Sequence, residues 1–144
     1  MSKPLIYLSH PIRGKAGANV TLEEMARNNE YAISEGNWLR KTFPYCKFYI
    51  PGEMDGFLLE RGIDPCKIVE GLLALDLAII DTSVGVIVLD TFEVSAGMAR
   101  EITHAKNTGV QVFYLSSISS YITGSSYITG DEYEQKITEW LGTL

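Results

Sequence analysis

The hydrophobic residues of the chain form short unbroken runs, and each run ends at polar residues, proline or glycine. The run at 5–8 stops at Ser9, and the run at 84–89 ends in Asp90. Apolar runs of this length, bounded by turn residues, are typical of buried strands. The predicted strands are 5–8, 46–50, 84–89 and 110–115.

Capping patterns mark where the helices between these runs begin. Thr21 is followed three residues later by Glu24, which together form a capping box. Asp64 before Pro65 places an N-cap ahead of a proline at the first helical position, and Ser95 opens a further helix. The predicted helices are 21–41, 64–80, 95–107 and 131–140, the last with Asp131 and Glu134 as its capping box.

Strand and helix alternate along the chain. The run at 84–89 has no polar break, as expected for a strand that is buried on both faces. This alternation predicts an α/β domain of the Rossmann-like or flavodoxin-like type, with a parallel sheet of four or five strands between two layers of helices. Since 144 residues can close one hydrophobic core, a single domain over residues 1–144 is expected.

A tandem repeat interrupts this pattern. Residues 119–124 read Ser-Ser-Tyr-Ile-Thr-Gly, and the same six residues recur at 125–130. A short unit repeated once does not build a solenoid. Two interpretations stay open, a duplicated surface loop and a flap or subunit-contact loop whose hydroxyls reach an active site.

Composition narrows the class of protein. With 46% hydrophobic and 21% charged residues, the chain has the make-up of a folded domain rather than a disordered one. Its 18 acidic and 12 basic residues give a net charge of −6, which argues against binding to a nucleic-acid backbone. A small anion is still compatible with this charge, because a helix N-terminus and a few local cations can hold one.

The sequence also bears on the compartment. The N-terminal apolar run is too short for a signal peptide, and the longest apolar stretch, 71–80, is interrupted by Asp76 and too short to span a membrane. Cys46 and Cys66 lack the spacing of metal ligands, and so few thiols suit a reducing cytosol. We therefore expect a cytoplasmic protein that binds neither membranes nor nucleic acid.

Candidate ligand-binding residues follow the predicted strands, because ligands of open parallel sheets bind beyond the carboxyl ends of the strands. Residues 95–97, Ser-Ala-Gly, begin a helix with small side chains that let an anion approach the backbone N–H groups. Arg13 can add a bidentate contact to a phosphate, whereas Ser95 can equally be an ordinary N-cap. These candidates are Tyr7, Ser9, His10, Arg13, Gly14, Asp90, Thr91, Glu93, Ser95 and Gly97.

Two carboxylates on the predicted helices call for separate interpretations. Asp76 lies between Leu75 and Leu77 in a helix that is apolar nearly all round, where an unpaired buried carboxylate costs several kcal/mol. It is therefore neutralised by a partner, exposed in a cleft, or shifted in pKa for catalysis. Glu101, taken alone, is typical of a solvated helix carboxylate.

Together these motifs resemble a known family. Residues 7–14 read Tyr-Leu-Ser-His-Pro-Ile-Arg-Gly, residues 95–101 read Ser-Ala-Gly-Met-Ala-Arg-Glu, and Asp76 lies between them. This combination resembles the nucleoside 2-deoxyribosyltransferase superfamily, and within it the deoxynucleoside 5′-monophosphate N-glycosidases with the related CMP and hydroxymethyl-CMP hydrolases. That branch carries Tyr followed by Ile-Arg-Gly on the first strand, and later Ser-x-Gly-x-x-x-Glu. The resemblance covers about the first 115 residues.

The resemblance implies an enzyme that hydrolyses the N-glycosidic bond of a ribo- or deoxyribonucleoside 5′-monophosphate. Glu101 would attack C1′ and form a covalent glycosyl-glutamate intermediate, as in retaining glycosidases. Asp76 would protonate the leaving base or hold a sugar hydroxyl, and Tyr7 would orient the nucleophile. No metal or organic cofactor is implied. The implied substrate-binding residues are Ser9, His10, Ile12, Arg13, Gly14, Ser95 and Gly97, of which Arg13, Ser95 and Gly97 would hold the 5′-phosphate.

The chain also departs from the family pattern. The family often has glycine and serine where this chain has His10 and Pro11, and a proline removes one backbone donor from the expected phosphate site. Two other functions stay open: a transferase that moves deoxyribose between bases, and a non-catalytic nucleotide-binding module. The phosphate-binding residues favour the hydrolase.

The resemblance finally implies a homodimer or a higher homo-oligomer, because in the monophosphate branch a serine of a neighbouring subunit helps to hold the phosphate. Ser117, Ser119 and Ser120 are candidates for that serine, with no preference among them. We expect the interface to involve the apolar helix at 64–80. A lysine at Leu73 would test this expectation, since it should disrupt the dimer.

Overall fold

The computed structural model describes residues 2–12, 17, 19–89, 95–115 and 130–144. Strands and helices alternate through these residues, as the sequence predicts. The strands are β1 (Leu5–Ser9), β2 (Lys47–Tyr49), β3 (Gly85–Val88) and β4 (Gln111–Tyr114). The helices are α1 (Leu22–Thr42), α2 (Pro51–Glu60), α3 (Val69–Asp81), α4 (Ala96–Asn107) and α5 (Gly130–Leu141).

The four strands form one parallel sheet in the order β2-β1-β3-β4. This confirms the predicted α/β class and is the order of a flavodoxin-like sheet over these strands. The chain moves outward from β1 to β2 in one direction and from β3 to β4 in the other. The point where the strand order reverses therefore lies between β1 and β3, where ligands of such sheets bind.

Each face of the sheet is covered by its own layer of helices. Ile6 and Leu8 of β1 belong to a core cluster that also includes residues of α1 and α5. Tyr7 belongs to the opposite cluster, with Val88 of β3 and Met98 of α4. Side chains alternate along a strand, so an uninterrupted apolar strand supplies both layers at once.

One close approach depends on a glycine. A Cβ atom at Gly85 would lie 2.6 Å from the Trp140 side chain, closer than side chains normally come. The absence of a side chain at Gly85 therefore allows Trp140 of α5 to lie directly against β3. The Trp140 ring also packs on Phe113, with 5.2 Å between the ring centroids, and these contacts attach α5 to the sheet.

The helix boundaries differ from the prediction at three places. The pair Pro51-Gly52, expected only to end the second strand, begins α2, since proline is well suited to the first helical position. Asp64 caps a short 3₁₀ turn, Pro65–Lys67, through its Oδ1 and the Cys66 N–H, and α3 begins only at Val69. The last helix begins at Gly130, which puts Asp131 inside it rather than at its cap.

None of the helices in the described ranges has both the length and the apolar character that crossing a lipid bilayer requires.

Candidate active site

Glu101 is the centre of a hydrogen-bonded group formed by β1 and α4. Tyr7 and Ser9 are two residues apart on β1, so both side chains project from the same face of the strand. The Tyr7 hydroxyl donates to Glu101 Oε2 at 2.7 Å, and the Ser9 hydroxyl donates to Oε1 at 2.9 Å. Each carboxylate oxygen thus has a donor, which fixes the orientation of a side chain that is only 5% exposed.

The surroundings of Glu101 oppose its ionisation. Burial away from water raises the pKa of Glu101 to about 7, against the hydrogen bonds from Tyr7 and Ser9, which lower it. The negative charge of Asp76 acts in the same direction as burial. The expectation of a solvated carboxylate, for Glu101 taken alone, is therefore wrong: the side chain is buried and close to protonation at neutral pH.

Asp76 lies in the same cleft, on α3. Burial raises the pKa of Asp76 to about 7, the Tyr7 hydroxyl lowers it, and the charge of Asp55 raises it again. Of the three alternatives that the sequence left open, Asp76 thus combines exposure to a cleft with a shifted pKa. Two carboxyl groups that titrate near neutrality and repel each other can hold one proton between them.

Two stacked tyrosines lie beside the carboxyl groups. The rings of Tyr7 and Tyr49 are 5.6 Å apart between centroids and 26° from parallel. Burial, followed by the charge of Glu101, raises the pKa of Tyr7, and burial followed by Asp76 raises the pKa of Tyr49 to about 12. Both hydroxyls are therefore neutral donors at physiological pH. The Tyr49 hydroxyl is buried without a hydrogen-bond partner among the described residues.

The first turn of α4 presents backbone donors to the same space. Ser95 caps the helix, because its side chain accepts a hydrogen bond from the Met98 N–H at 3.2 Å. A Cβ atom at Gly97 would meet no other atom within 4 Å, so the space beside this backbone is open. Ser95 and Gly97 both line the cleft. The positive end of the α4 dipole therefore faces an open volume.

Glu101, Asp76 and the first turn of α4 line a cleft of about 400 Å³, large enough for a nucleotide-sized ligand. One part of its wall is polar, formed by the first turn of α4 and the carboxyl groups. The other part is mainly apolar and includes two methionines and a cysteine. Residues of the apolar part are Met25, Met54, Pro65, Cys66, Val69, Leu72 and Leu73.

The His10 ring is bonded to the backbone through both of its nitrogens. Its Nδ1–H donates to the Pro11 carbonyl at 3.2 Å, and its Nε2 accepts from the Gly52 N–H at 3.1 Å. Burial lowers the pKa of His10 to about 4, so the ring is neutral. The ring lines the cleft, but both its nitrogens are engaged with the backbone. His10 therefore caps the start of α2, and its predicted contact with substrate stays a prediction.

The remaining predicted residues divide into two groups. Ile12 lines the cleft, and its carbonyl accepts a hydrogen bond from Asn28 Nδ2 at 2.8 Å. Ser9 is fully buried, and its hydroxyl supports Glu101. The others lie outside the described residues, and their predictions stay predictions: Arg13, Gly14, Asp90, Thr91, Glu93, Ser117, Ser119 and Ser120.

The sequence analysis did not identify a third carboxyl group in the cleft, Asp55, or the residue that hydrogen-bonds to it, Asn29. Asp55 of α2 is 4% exposed and lines the cleft, and its Oδ2 accepts from Asn29 Nδ2 of α1 at 3.3 Å. The signal that would have found Asp55 is Pro51 as a helix start, with Glu53 in the first turn, since this predicts α2. Arg100 was also missed; it lines the cleft and pairs with Glu70 at 3.4 Å.

Within the described ranges, no three His, Cys, Asp or Glu side chains are arranged as a metal-binding group. Comparisons of the chain with protein-family models, with curated proteins and with solved structures gave no significant match.

Proposed function

We propose that the protein is a hydrolase that cleaves the N-glycosidic bond of a ribo- or deoxyribonucleoside 5′-monophosphate. The observation that carries the proposal is the buried Glu101 carboxylate, held on both oxygens by Tyr7 and Ser9 and facing a cleft that also contains Asp76. A carboxylate fixed in this way is suited to attack a carbon atom. The resemblance of its flanking motifs to nucleoside 5′-monophosphate N-glycosidases supports the same reaction.

In the first step, an oxygen of Glu101 forms a bond to C1′ of the sugar while the bond from C1′ to the base nitrogen breaks. The electron pair of that bond goes to the base, which takes the proton of the Asp76 carboxyl group. This step needs Glu101 ionised and Asp76 protonated. The hydrogen bonds from Tyr7 and Ser9 stabilise the ionised form of Glu101, against burial and the charge of Asp76, which oppose it; protonation of Asp76 in the starting state removes that opposing charge.

In the second step, water attacks C1′ of the glycosyl-glutamate and gives a proton to the Asp76 carboxylate. The C1′–O bond to Glu101 breaks, and its electron pair returns to the carboxylate. The products are the free base and the sugar 5-phosphate, and both carboxyl groups return to their starting states. No external oxidant, metal or cofactor enters this balance.

The substrate's phosphate is assigned to the start of α4 in this proposal. Ser95 and Gly97 line the cleft there, and the N-terminal backbone N–H groups of a helix favour an anion. Arg13 and Gly14 complete the assignment as predictions from the sequence. The apolar part of the wall, which includes Met25 and Met54, suits a planar base.

Chromatographic detection of free base tests the proposal. The panel contains ribo- and deoxyribonucleoside 5′-monophosphates together with the matching nucleosides. We expect release from a monophosphate only, and a fall in kcat on the order of 1,000-fold or more in Glu101→Gln. Glu30→Gln is the matched control, because Glu30 is exposed on α1. Release that needs a second base would instead identify a transferase, and nucleotide binding without release a binding module.

We further propose that the enzyme is a cytoplasmic homodimer or higher homo-oligomer. The support for the oligomer is a stripe of exposed uncharged residues along α3, which includes Gly71, Ala74, Leu75 and Ala78. These positions are three or four residues apart and so lie on one face of the helix. The chain has two cysteines, Cys46 and Cys66, and so few thiols suit a reducing cytoplasm.

A further inference from the structure

A third buried carboxylate shares the cleft with Glu101 and Asp76. Asp55 is 4% exposed and projects from α2, an element separate from those that carry the other two. The reaction described above assigns it no step. A buried charge costs free energy unless it is hydrogen-bonded, so neighbouring groups are expected to stabilise the Asp55 carboxylate.

A hydrogen bond holds the Asp55 carboxyl group, and two further contacts fix the first turn of α2 just before it. Asn29 of α1 donates from Nδ2 to Asp55 Oδ2, and its own Oδ1 is buried without a hydrogen-bond partner among the described residues. A Cβ atom at Gly52 would lie 2.9 Å from that Oδ1, so only glycine lets α2 approach Asn29 this closely. His10 accepts the Gly52 N–H one turn before Asp55. The end of β1 and the middle of α1 therefore fix where the carboxylate lies.

The charge of Asp55 acts on Asp76. Burial has the largest effect on the pKa of Asp76 and raises it, whereas the hydrogen bond with the Tyr7 hydroxyl lowers it. The charge of Asp55 has the next largest effect, and it raises the pKa again. The same charge contributes to the raised pKa of Tyr49. Asp55 is thus close enough to both groups for repulsion of a second negative charge to matter.

We propose that Asp55 is a positioning residue for the glycosidase reaction, whose fixed negative charge holds the proton on the Asp76 carboxyl group until the base departs. This inference rests on the proposed function. Asp55 touches neither C1′ nor the leaving base in it; it acts through Asp76.

The reaction cycle explains why Glu101 cannot supply this charge by itself. Glu101 is negative before the first step, but it becomes a neutral ester once it is bonded to C1′. Asp76 must then take a proton from water, and a carboxylate does so more readily when a neighbouring negative charge persists. Asp55 forms no bond in either step, so its charge can act on Asp76 throughout, keeping Asp76 protonated before the first step and favouring its reprotonation in the second.

Several other titratable groups face Asp76. They are Tyr7 from β1, Tyr49 from β2 and Glu101 from α4. The Arg100–Glu70 ion pair also lines the cleft. The tyrosines are neutral over the relevant pH range, and the ion pair carries no net charge. Glu101 titrates near the same pH and is present in both proteins, so the difference between the wild type and Asp55→Asn reports the effect of Asp55 on Asp76.

The test follows the Asp76 proton directly, by NMR of protein carrying ¹³C-labelled aspartate carboxyl groups, with the Asp76 signal assigned through Asp76→Asn. We expect a midpoint near 7 in the unmodified protein and a midpoint lower by about one pH unit in Asp55→Asn. Asp55→Glu should retain the high midpoint. Glu60→Gln should leave it unchanged, since Glu60 is exposed on the same helix. Asp55→Ser replaces Asp55→Asn if the latter does not fold.

Base release from the monophosphate panel is measured on the same proteins as a function of pH. The alkaline limb of the kcat profile should move down by about one unit in Asp55→Asn, which a loss of packing alone would not produce. An unchanged Asp76 midpoint in a folded neutral variant would overturn the inference whatever the activity. A lowered midpoint in a protein that releases no base would overturn the proposed function while establishing the effect of Asp55 on Asp76.

Discussion

A buried carboxylate with two hydrogen-bond donors is a compromise between stability and reactivity. Tyr7 and Ser9 supply the donors that make ionisation of Glu101 tolerable, but burial still raises its pKa from an ordinary value of 4.5 to about 7. In the proposed reaction, the donors hold the Glu101 nucleophile in one orientation, and poor solvation keeps its charge reactive. Burial of the Glu101 carboxylate therefore lowers the stability of the folded state, and the size of this effect depends on pH.

The first prediction concerns this pH dependence. Between about pH 4.5 and 7 the folded state binds the Glu101 proton more tightly than the unfolded chain, so this group's contribution to stability falls as pH rises. Glu101→Gln removes that loss. The free energy of unfolding of the variant relative to the wild type should therefore rise by about 2 kcal/mol between pH 5 and pH 8.

Urea denaturation at a series of pH values measures this difference. Glu30→Gln, with its side chain in solvent, is the control and should differ from the wild type by a constant small amount. A difference for Glu101→Gln that does not change with pH would contradict the burial argument.

At this scale, the sequence predicted some residues better than others. Asp76 could be singled out because a carboxylate among leucines in a helix is anomalous by itself. The support of Glu101 by Tyr7 could be anticipated only through the resemblance of their flanking motifs, since 94 residues separate the two. Asp55 was missed because its helix was missed, although Asp55 is as buried as Glu101.

At the scale of elements, α2 shows where local pattern fails. Pro51 and Gly52 are both residues that end strands and begin turns, and the prediction took them as a strand end. In the structure they form the first turn of a helix for which Ile50 gives no side-chain cap. The missing acceptor comes from His10, 42 residues earlier. No local sequence window contains that contact, so it could not be predicted from the sequence near α2.

The second prediction separates this cap from a substrate contact. His10→Phe removes the Nε2 acceptor and should lower the free energy of unfolding by about 1–2 kcal/mol. Hydrogen exchange at the Gly52 amide should accelerate in the same variant. His10→Gln restores an acceptor of similar reach and should recover most of both effects.

The pH dependence of the same variants gives a further check. His10 is neutral in the folded state, so its contribution is complete above about pH 6.5 and is lost as pH falls toward its folded-state pKa of about 4. His10→Gln has no group that titrates at this position, so its free energy of unfolding should rise relative to that of the wild type as pH falls from about 6.5 to about 4. Unaltered exchange at Gly52 in His10→Phe would show that the ring does not cap α2.

At the scale of the whole molecule, the fold was largely predictable because its pattern is redundant. Four apolar runs, separated by helices, leave a parallel sheet as the arrangement that buries both strand faces. The order of the strands depends on contacts between distant residues, such as Val86 with both Tyr7 and Val112, and required the structure. Which side of α3 faces outward likewise required the structure.

The side of α3 that faces outward determines which substitution can test association between subunits. Leu73, the position chosen from the sequence, is 8% exposed and lines the cleft, so a lysine there would damage the site within one chain. Leu75 is 41% exposed on the opposite stripe, beside Ala74 and Ala78. Leu75→Lys should therefore weaken association without loss of fold, because only the interface would then bury a charge.

Sedimentation velocity over a range of protein concentrations measures this effect. The wild type should sediment as a dimer or larger species, and Leu75→Lys should shift the concentration for half-dissociation upward by about 10-fold or more. Ile63→Lys is the matched control, since Ile63 is 42% exposed outside the stripe and should leave association unchanged. A wild type that is monomeric at all concentrations would refute the oligomer, and equal effects of the two lysines would place the interface elsewhere. Because the cleft lies on the other side of α3, a dissociated Leu75→Lys protein that loses base release would further indicate that a neighbouring subunit completes the site.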